Sequence, residues 1–70
     1  MIEIDVKRLT VQLSDSLAKA DYATHQGHDA LASGEENTAN KWLSEAASHT
    51  RAASIYRAEI ESRQQVEAVQ

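Results

Sequence analysis

The sequence predicts an all-α fold, an antiparallel helical hairpin that pairs with a second copy to make a four-helix bundle. Three observations predict it. Proline is absent from the 70 residues, and glycine occurs only at Gly27 and Gly34. On both sides of Gly34, apolar residues recur at the steps of three and four that gather them on one face of a helix. The chain therefore reads as a single domain, 1–70, interrupted once near its middle.

Residues 1–4, Met1-Ile2-Glu3-Ile4, read as a short arm, with Asp5 as the N-cap of a first helix over 5–33. Ile2, Ile4 and Val6 also alternate as a strand does, which leaves the arm open between the two conformations. Beyond it, Val6, Leu9, Leu13, Leu17, Ala20, Thr24, Gly27 and Leu31 form one helical stripe, and the alanines among them favour helix. At 34–36 the chain turns. Gly34 supplies a left-handed residue to close the first helix, and Asn37 caps the next, with Ser33 and Glu36 as an alternative capping box. The second helix, 37–66, carries Ala39, Trp42, Ala46, His49, Ala53, Tyr56 and Ile60 on its stripe, flanked by Leu43 and Ala47, and 67–70 read as a frayed tail.

Folding the two stripes together about this turn pairs residues whose numbers sum to roughly 70, such as Gly27 with Leu43 and Leu13 with Tyr56. Small residues then oppose one another through the middle, Ala20, Ala23 and Gly27 against Ala46, Ala47 and Ala53, and bring the axes to the close end of the usual spacing of about 8 to 10 Å.

A chain this short buries a small fraction of its surface and needs a staple or a partner. Cysteine is absent, so neither a disulfide nor a thiolate metal site provides one, and of the 41% hydrophobic residues twelve are alanine and none is phenylalanine. A second apolar row stands beside the main stripes: Ile4, Val11, Ala18 and Tyr22 on the first helix, Ala52, Ile55 and Val66 on the second. Two rows are one more than a hairpin uses. Ile4, Val11, Ala18, Ala52 and Ile55 are therefore the expected interface of a homodimer. The acidic first residues carry no apolar run long enough for a signal peptide or a membrane span, which leads to the expectation of a cytoplasmic protein.

Charge is unevenly placed. Acids and bases balance in residues 1–19 and again from Arg51 onward, so the whole excess of −4 falls between Ala20 and Thr50. There Asp21, Asp29, Glu35, Glu36 and Glu45 face only Lys41. The half of the hairpin that carries the turn is thus acidic, either as a soluble tip or as a surface that docks on a basic partner.

Candidate chemistry is sparse. Asp21, His25, His28 and Asp29 occupy neighbouring turns, with Glu45 and His49 across from them, but acids and histidines on a polar helix face are common and no metal site is assigned. With no glycine-rich phosphate loop and no triad-like setting, no catalytic residue and no cofactor are expected, and the chain is not read as an enzyme. Trp42, on the stripe, reads as a core plug near the turn. Tyr22, off the stripe, reads as a contact residue, since aromatics dominate interfaces.

Gly27, Ala30, Gly34, Ala39, Leu43 and Ala46 stand at spacings similar to those of a tetratricopeptide hairpin over about Ala20 to Ala53, although that family's leading aromatic is Ala23 here, its leucine Gln26 and its closing proline Arg51. In layout and composition the chain more closely resembles the small acidic helical-hairpin dimers of phages and plasmids, including Rop-type bundles and phage anti-activators of host regulators. That resemblance implies a non-enzymatic regulator or inhibitor that binds a host protein such as a transcription regulator. Tyr22, Asp29, Glu35, Glu36 and Glu45 are the residues expected to meet such a partner. The alternatives are a nucleic-acid-binding bundle, using Lys7, Arg8, Arg51, Arg57 and Arg63, and a structural or assembly subunit; an isoelectric point near 5.2 disfavours the former.

Overall fold

A computed structural model describes the backbone of residues 2–69 and the side chains of residues 6–64. Two helices, α1 (Ile2–Ala32) and α2 (Glu36–Val69), pack side by side as a hairpin in a rod of 55 × 15 × 12 Å. The α1 helix begins at Ile2, so residues 2–4 are helical and Asp5 lies within the helix instead of capping it. Each added helical residue gains a hydrogen bond once a helix is nucleated, and the modest propensity penalty of isoleucine does not stop it. Likewise α2 continues to Val69, past the expected end at 66. Met1 and Gln70 lie outside the described residues.

The reversal takes only residues 33–35. Gly34 adopts φ of 79°, the left-handed conformation that a side chain resists. Around it the Glu35 N–H donates to the Ala30 carbonyl (2.9 Å) and the Gly34 N–H to the Leu31 carbonyl (3.0 Å), the paired bonds of a Schellman motif. The Glu35 carbonyl then accepts from the Ala39 N–H at 2.9 Å, which makes Glu35 the N-cap position of α2. Neither Asn37 nor the Ser33–Glu36 box is the cap. The Schellman closure delivers the chain to Glu35 already pointing back, so α2 starts one residue earlier than expected, and Glu36 places a carboxylate in its first turn, where the helix dipole favours one.

Between the helices lies a seam of small residues. Ser16, Ala20, Ala23, Gly27 and Ala30 are buried from α1, and Ala39, Ala46 and Ala53 from α2. No large side chain is fully buried among the described residues. Val6, Leu9 and Leu13, and opposite them Tyr56 and Ile60, are half-buried toward the open end. The seam on α2 is the expected one, except that Ala47 is exposed. On α1 it is shifted by one residue. Ser16, Ala23 and Ala30 occupy the places expected of Leu17, Thr24 and Leu31, and Leu17 and Leu31 are 41% and 49% exposed. The cause is the spacing: Ser16, Ala23 and Ala30 repeat every seven residues, as do Ala39, Ala46 and Ala53, and a seven-residue repeat keeps a seam facing its partner along a long contact.

How closely the helices approach is shown at Gly27. A methyl group placed there would fall 2.6 Å from Leu43 Cδ2 and 2.8 Å from Leu43 Cγ, which also confirms the expected pairing of these two residues. Threonines are accommodated by turning their hydroxyls onto the preceding turn: Thr10, Thr24 and Thr50 each donate to the carbonyl four residues earlier, at 2.8 Å. On the outer faces the i,i+4 pairs Asp15–Lys19 (2.9 Å) and Glu59–Arg63 (3.7 Å) place the acid N-terminal to the base, the favourable order, and contribute a few tenths of a kcal/mol each.

Two substitutions test the turn and the seam. Gly34→Ala meets open space, so only the backbone resists it, and it is expected to lower the unfolding free energy by about 1–2 kcal/mol in urea titrations. Gly27→Ala is expected to change sign with its background: destabilising in the native chain, where Leu43 blocks the methyl, and stabilising by about 0.8–1 kcal/mol in a Leu43→Ala chain, where only helix propensity remains.

Candidate functional site

The fully buried side chains of the seam are small, while the larger ones stand beside it half-buried or turn outward, and they are not spread evenly. At the turn half, Tyr22 of α1 and Trp42 of α2 meet edge to face, with ring centroids 5.7 Å apart and planes at 82°. This is the favoured geometry of an aromatic pair, the positive edge of one ring against the negative face of the other. Tyr22 remains 59% exposed, and Trp42 is half-buried. Trp42 is thus the partial plug its place on the stripe suggested, but one whose ring also forms surface.

The pair lies in an open groove of about 330 Å³ bordered by Ala18, Lys19, Glu45 and His49. On its other side Trp42, together with Glu45, borders a second hollow with Thr38 and Lys41. Thr38 in turn joins a third hollow, at the turn itself, formed with Glu35, Glu36 and Asn37. These three hollows share residues and make one continuous strip from the aromatic pair to the tip.

Of the residues expected to meet a partner, Tyr22 and Glu45 share the aromatic groove, while Glu35 and Glu36 line the hollow at the turn. Asp29 is exposed and outside these hollows; its carboxylate lies 3.7 Å from His25 Nε2, an exposed pair that becomes ionic when the imidazole is protonated. Lys19, Thr38, Lys41 and His49 belong to the strip and are not among the expected partner contacts; the sequence places His49 on the stripe and Lys41 as the one base of the acidic half. Their signal was their i,i+3 or i,i+4 spacing from Tyr22, Trp42 and Glu45, visible only once those three were known to be neighbours.

Toward the open half, Val11 is 68% exposed and Ile55 59%, Ala18 is exposed and Ala52 half-buried. Four of the five residues expected at a dimer interface therefore present apolar surface, and the fifth, Ile4, lies outside the described side chains, as does Val66. Asp21, His25, His28, Asp29, Glu45 and His49 do not converge: among the described residues no three histidines or acids are grouped to hold a metal ion. No described helix is long and apolar enough to cross a membrane.

Compared with protein-family models, curated proteins and solved structures, the chain matches none.

The aromatic contact has a measurable worth. Tyr22→Ala is expected to cost about 0.5–1.5 kcal/mol of stability and to red-shift the emission of Trp42, the single tryptophan, while Tyr22→Phe, which keeps the ring, leaves both nearly unchanged.

Proposed function

We propose that this chain is a non-enzymatic protein-binding module, a small regulator of the inhibitor type, that acts as a homodimer in the cytoplasm and docks its acidic turn half on a basic surface of another protein. The observation that carries the reading is the strip from Tyr22 to Glu36: an edge-to-face aromatic pair beside Glu45, Lys19 and Lys41 that leads to Glu35 and Glu36 at the turn, in the half of the hairpin where residues 20–50 carry five acids and one lysine. Tyrosine and tryptophan supply large contact area at small conformational cost, and surrounding charge steers approach and fixes register. The grooves are open and shallow, which suits a protein surface better than a small substrate held away from water.

A basic partner of this description is the nucleic-acid-binding face of a regulator. There Glu35, Glu36 and Glu45 compete with phosphate for lysine and arginine side chains, and Tyr22 adds apolar contact. Occupying that face is enough to inhibit, without catalysis. A second copy covers Val11, Ala18, Ala52 and Ile55; Val11 and Ile55 lie toward the other half of the rod, and Ala18 borders the aromatic groove.

The test is a binding titration against basic DNA-binding regulators purified from the source cell, repeated at rising ionic strength. Glu35→Lys with Glu36→Lys is expected to weaken binding by about tenfold or more at low salt. The difference should vanish near 1 M salt, where the screening length is about 3 Å. An affinity indifferent both to salt and to the charge reversal would overturn the docking mode.

A further inference from the structure

We infer that the second copy lies antiparallel along the flank formed by Val11, Ala18, Ala52 and Ile55, with its acidic turn beside the open end of the first. This rests on the reading of the chain as a homodimer through that face and adds to it the direction.

The face follows from exposure. Of the five large apolar side chains that stand out of the hairpin, Val11, Tyr22 and Ile55 are the most exposed, and Leu17 and Leu31 the least. Seven-residue geometry places Val11 on the same line as Ala18, and Ala18 borders the groove of Tyr22 and Trp42 on this flank. Across the seam Ala52 sits level with Ala18, by the same pairing that sets Gly27 against Leu43, and Ile55 follows Ala52 at the next step of three. Two alanines at one level leave the middle of the flank low, which lets another helix pair approach closely, with Val11 and Ile55 as the larger side chains beside it. The apolar patch itself ends before Thr38 and the turn.

The size follows from the shape. The long face measures 55 by 15 Å, on the order of the 800 Å² that each partner buries in a standard interface, whereas an end-on contact of 15 by 12 Å falls far short. The copies therefore lie lengthwise.

The direction follows from charge. Two copies with their turns together would crowd Asp21, Asp29, Glu35, Glu36 and Glu45 of each at one end, with only the two Lys41 side chains to offset them. Reversing one copy sets each acidic turn against an open end that carries Lys7, Arg8, Arg57 and Arg63 among its balanced charges. Like charges within a screening length of about 8 Å repel at physiological salt, so the antiparallel arrangement is the lower in energy.

The chain has no cysteine, so Ser33→Cys in the exposed turn provides a single attachment point for a nitroxide label. Sedimentation equilibrium of the full chain should give a dimer, and pulsed electron spin resonance on it should give a turn-to-turn distance close to the 55 Å length of the rod. Val11→Glu and Ile55→Glu, both at exposed sites of the lone hairpin, should each weaken dimerisation by roughly tenfold or more with helix content unchanged, while Ser44→Glu on the outer face of α2 should not. A dimer whose labels lie within about 20 Å, the breadth of two helices, overturns the antiparallel direction and leaves the homodimer standing. A dimer insensitive to Val11→Glu and Ile55→Glu overturns the face. A monomer at every concentration overturns both this inference and the homodimer.

Discussion

The separation of the two helix axes is the constraint on which the rest of this structure depends. At Gly27 the space between α1 and α2 is too narrow even for a methyl group, because Leu43 already occupies it. Along the contact the fully buried side chains of the described residues are small, Ala20, Ala23, Ala30, Ala39, Ala46, Ala53 and Ser16. Alanine loses no rotamer freedom on burial and has the highest helix propensity, so the residue that permits close approach also favours the long uninterrupted helices that exploit it. The converse is that bulk has nowhere to go but outward. Trp42, His49, Tyr56 and Ile60 flank the seam half-buried, and Val11, Tyr22 and Ile55 leave it altogether.

That same constraint explains which parts of the fold were legible in the sequence. The hairpin was, because Gly34 is the one residue free to take positive φ at a place where a turn divides the chain in half. The register was too, since a turn of fixed length leaves no freedom in which residue faces which, and Gly27 meets Leu43 as the numbering requires. On α2 the alanines and the large residues fall on one stripe, so weighting by size or by spacing gives the same answer. On α1 they do not. Leu17 and Leu31 outweigh Ser16 and Ala30 in hydrophobicity, and a stripe drawn through the leucines follows the 3.6-residue period of a lone helix instead of the 3.5 of a helix held against a partner. Steric access, which depends on the opposite helix, decided the matter, and a single helix read by itself carries no record of it.

The helix boundaries failed for a more local reason. Asp5 and Asn37 are good capping residues, but capping is worth on the order of 1 kcal/mol and does not outrank a continuous run of helical bonds or a Schellman closure that uses Gly34 and Glu35 in sequence. The acids of the turn half were readable as a cluster by counting alone. Which of them share a surface was not: Glu45 lies beside Tyr22, Glu35 and Glu36 line the turn, and Asp29 pairs with His25 elsewhere.

Trp42 joins the seam to the surface. It stands between Ala39 and Ala46 on the inner stripe of α2, half-buried, and its exposed part borders hollows on both sides while Tyr22 holds it edge-on. The turn beyond it has its backbone tied by the Schellman bonds at Gly34 and Glu35. Ordinary small proteins carry their recognition residues on loops that must be ordered when a partner arrives. Here the connection is three residues long and hydrogen-bonded, so Glu36, Glu45 and the aromatic pair stand on helices and Glu35 in the closed turn between them. The narrow seam, by forcing bulk outward onto rigid rods, is what makes this chain a surface before it is a core.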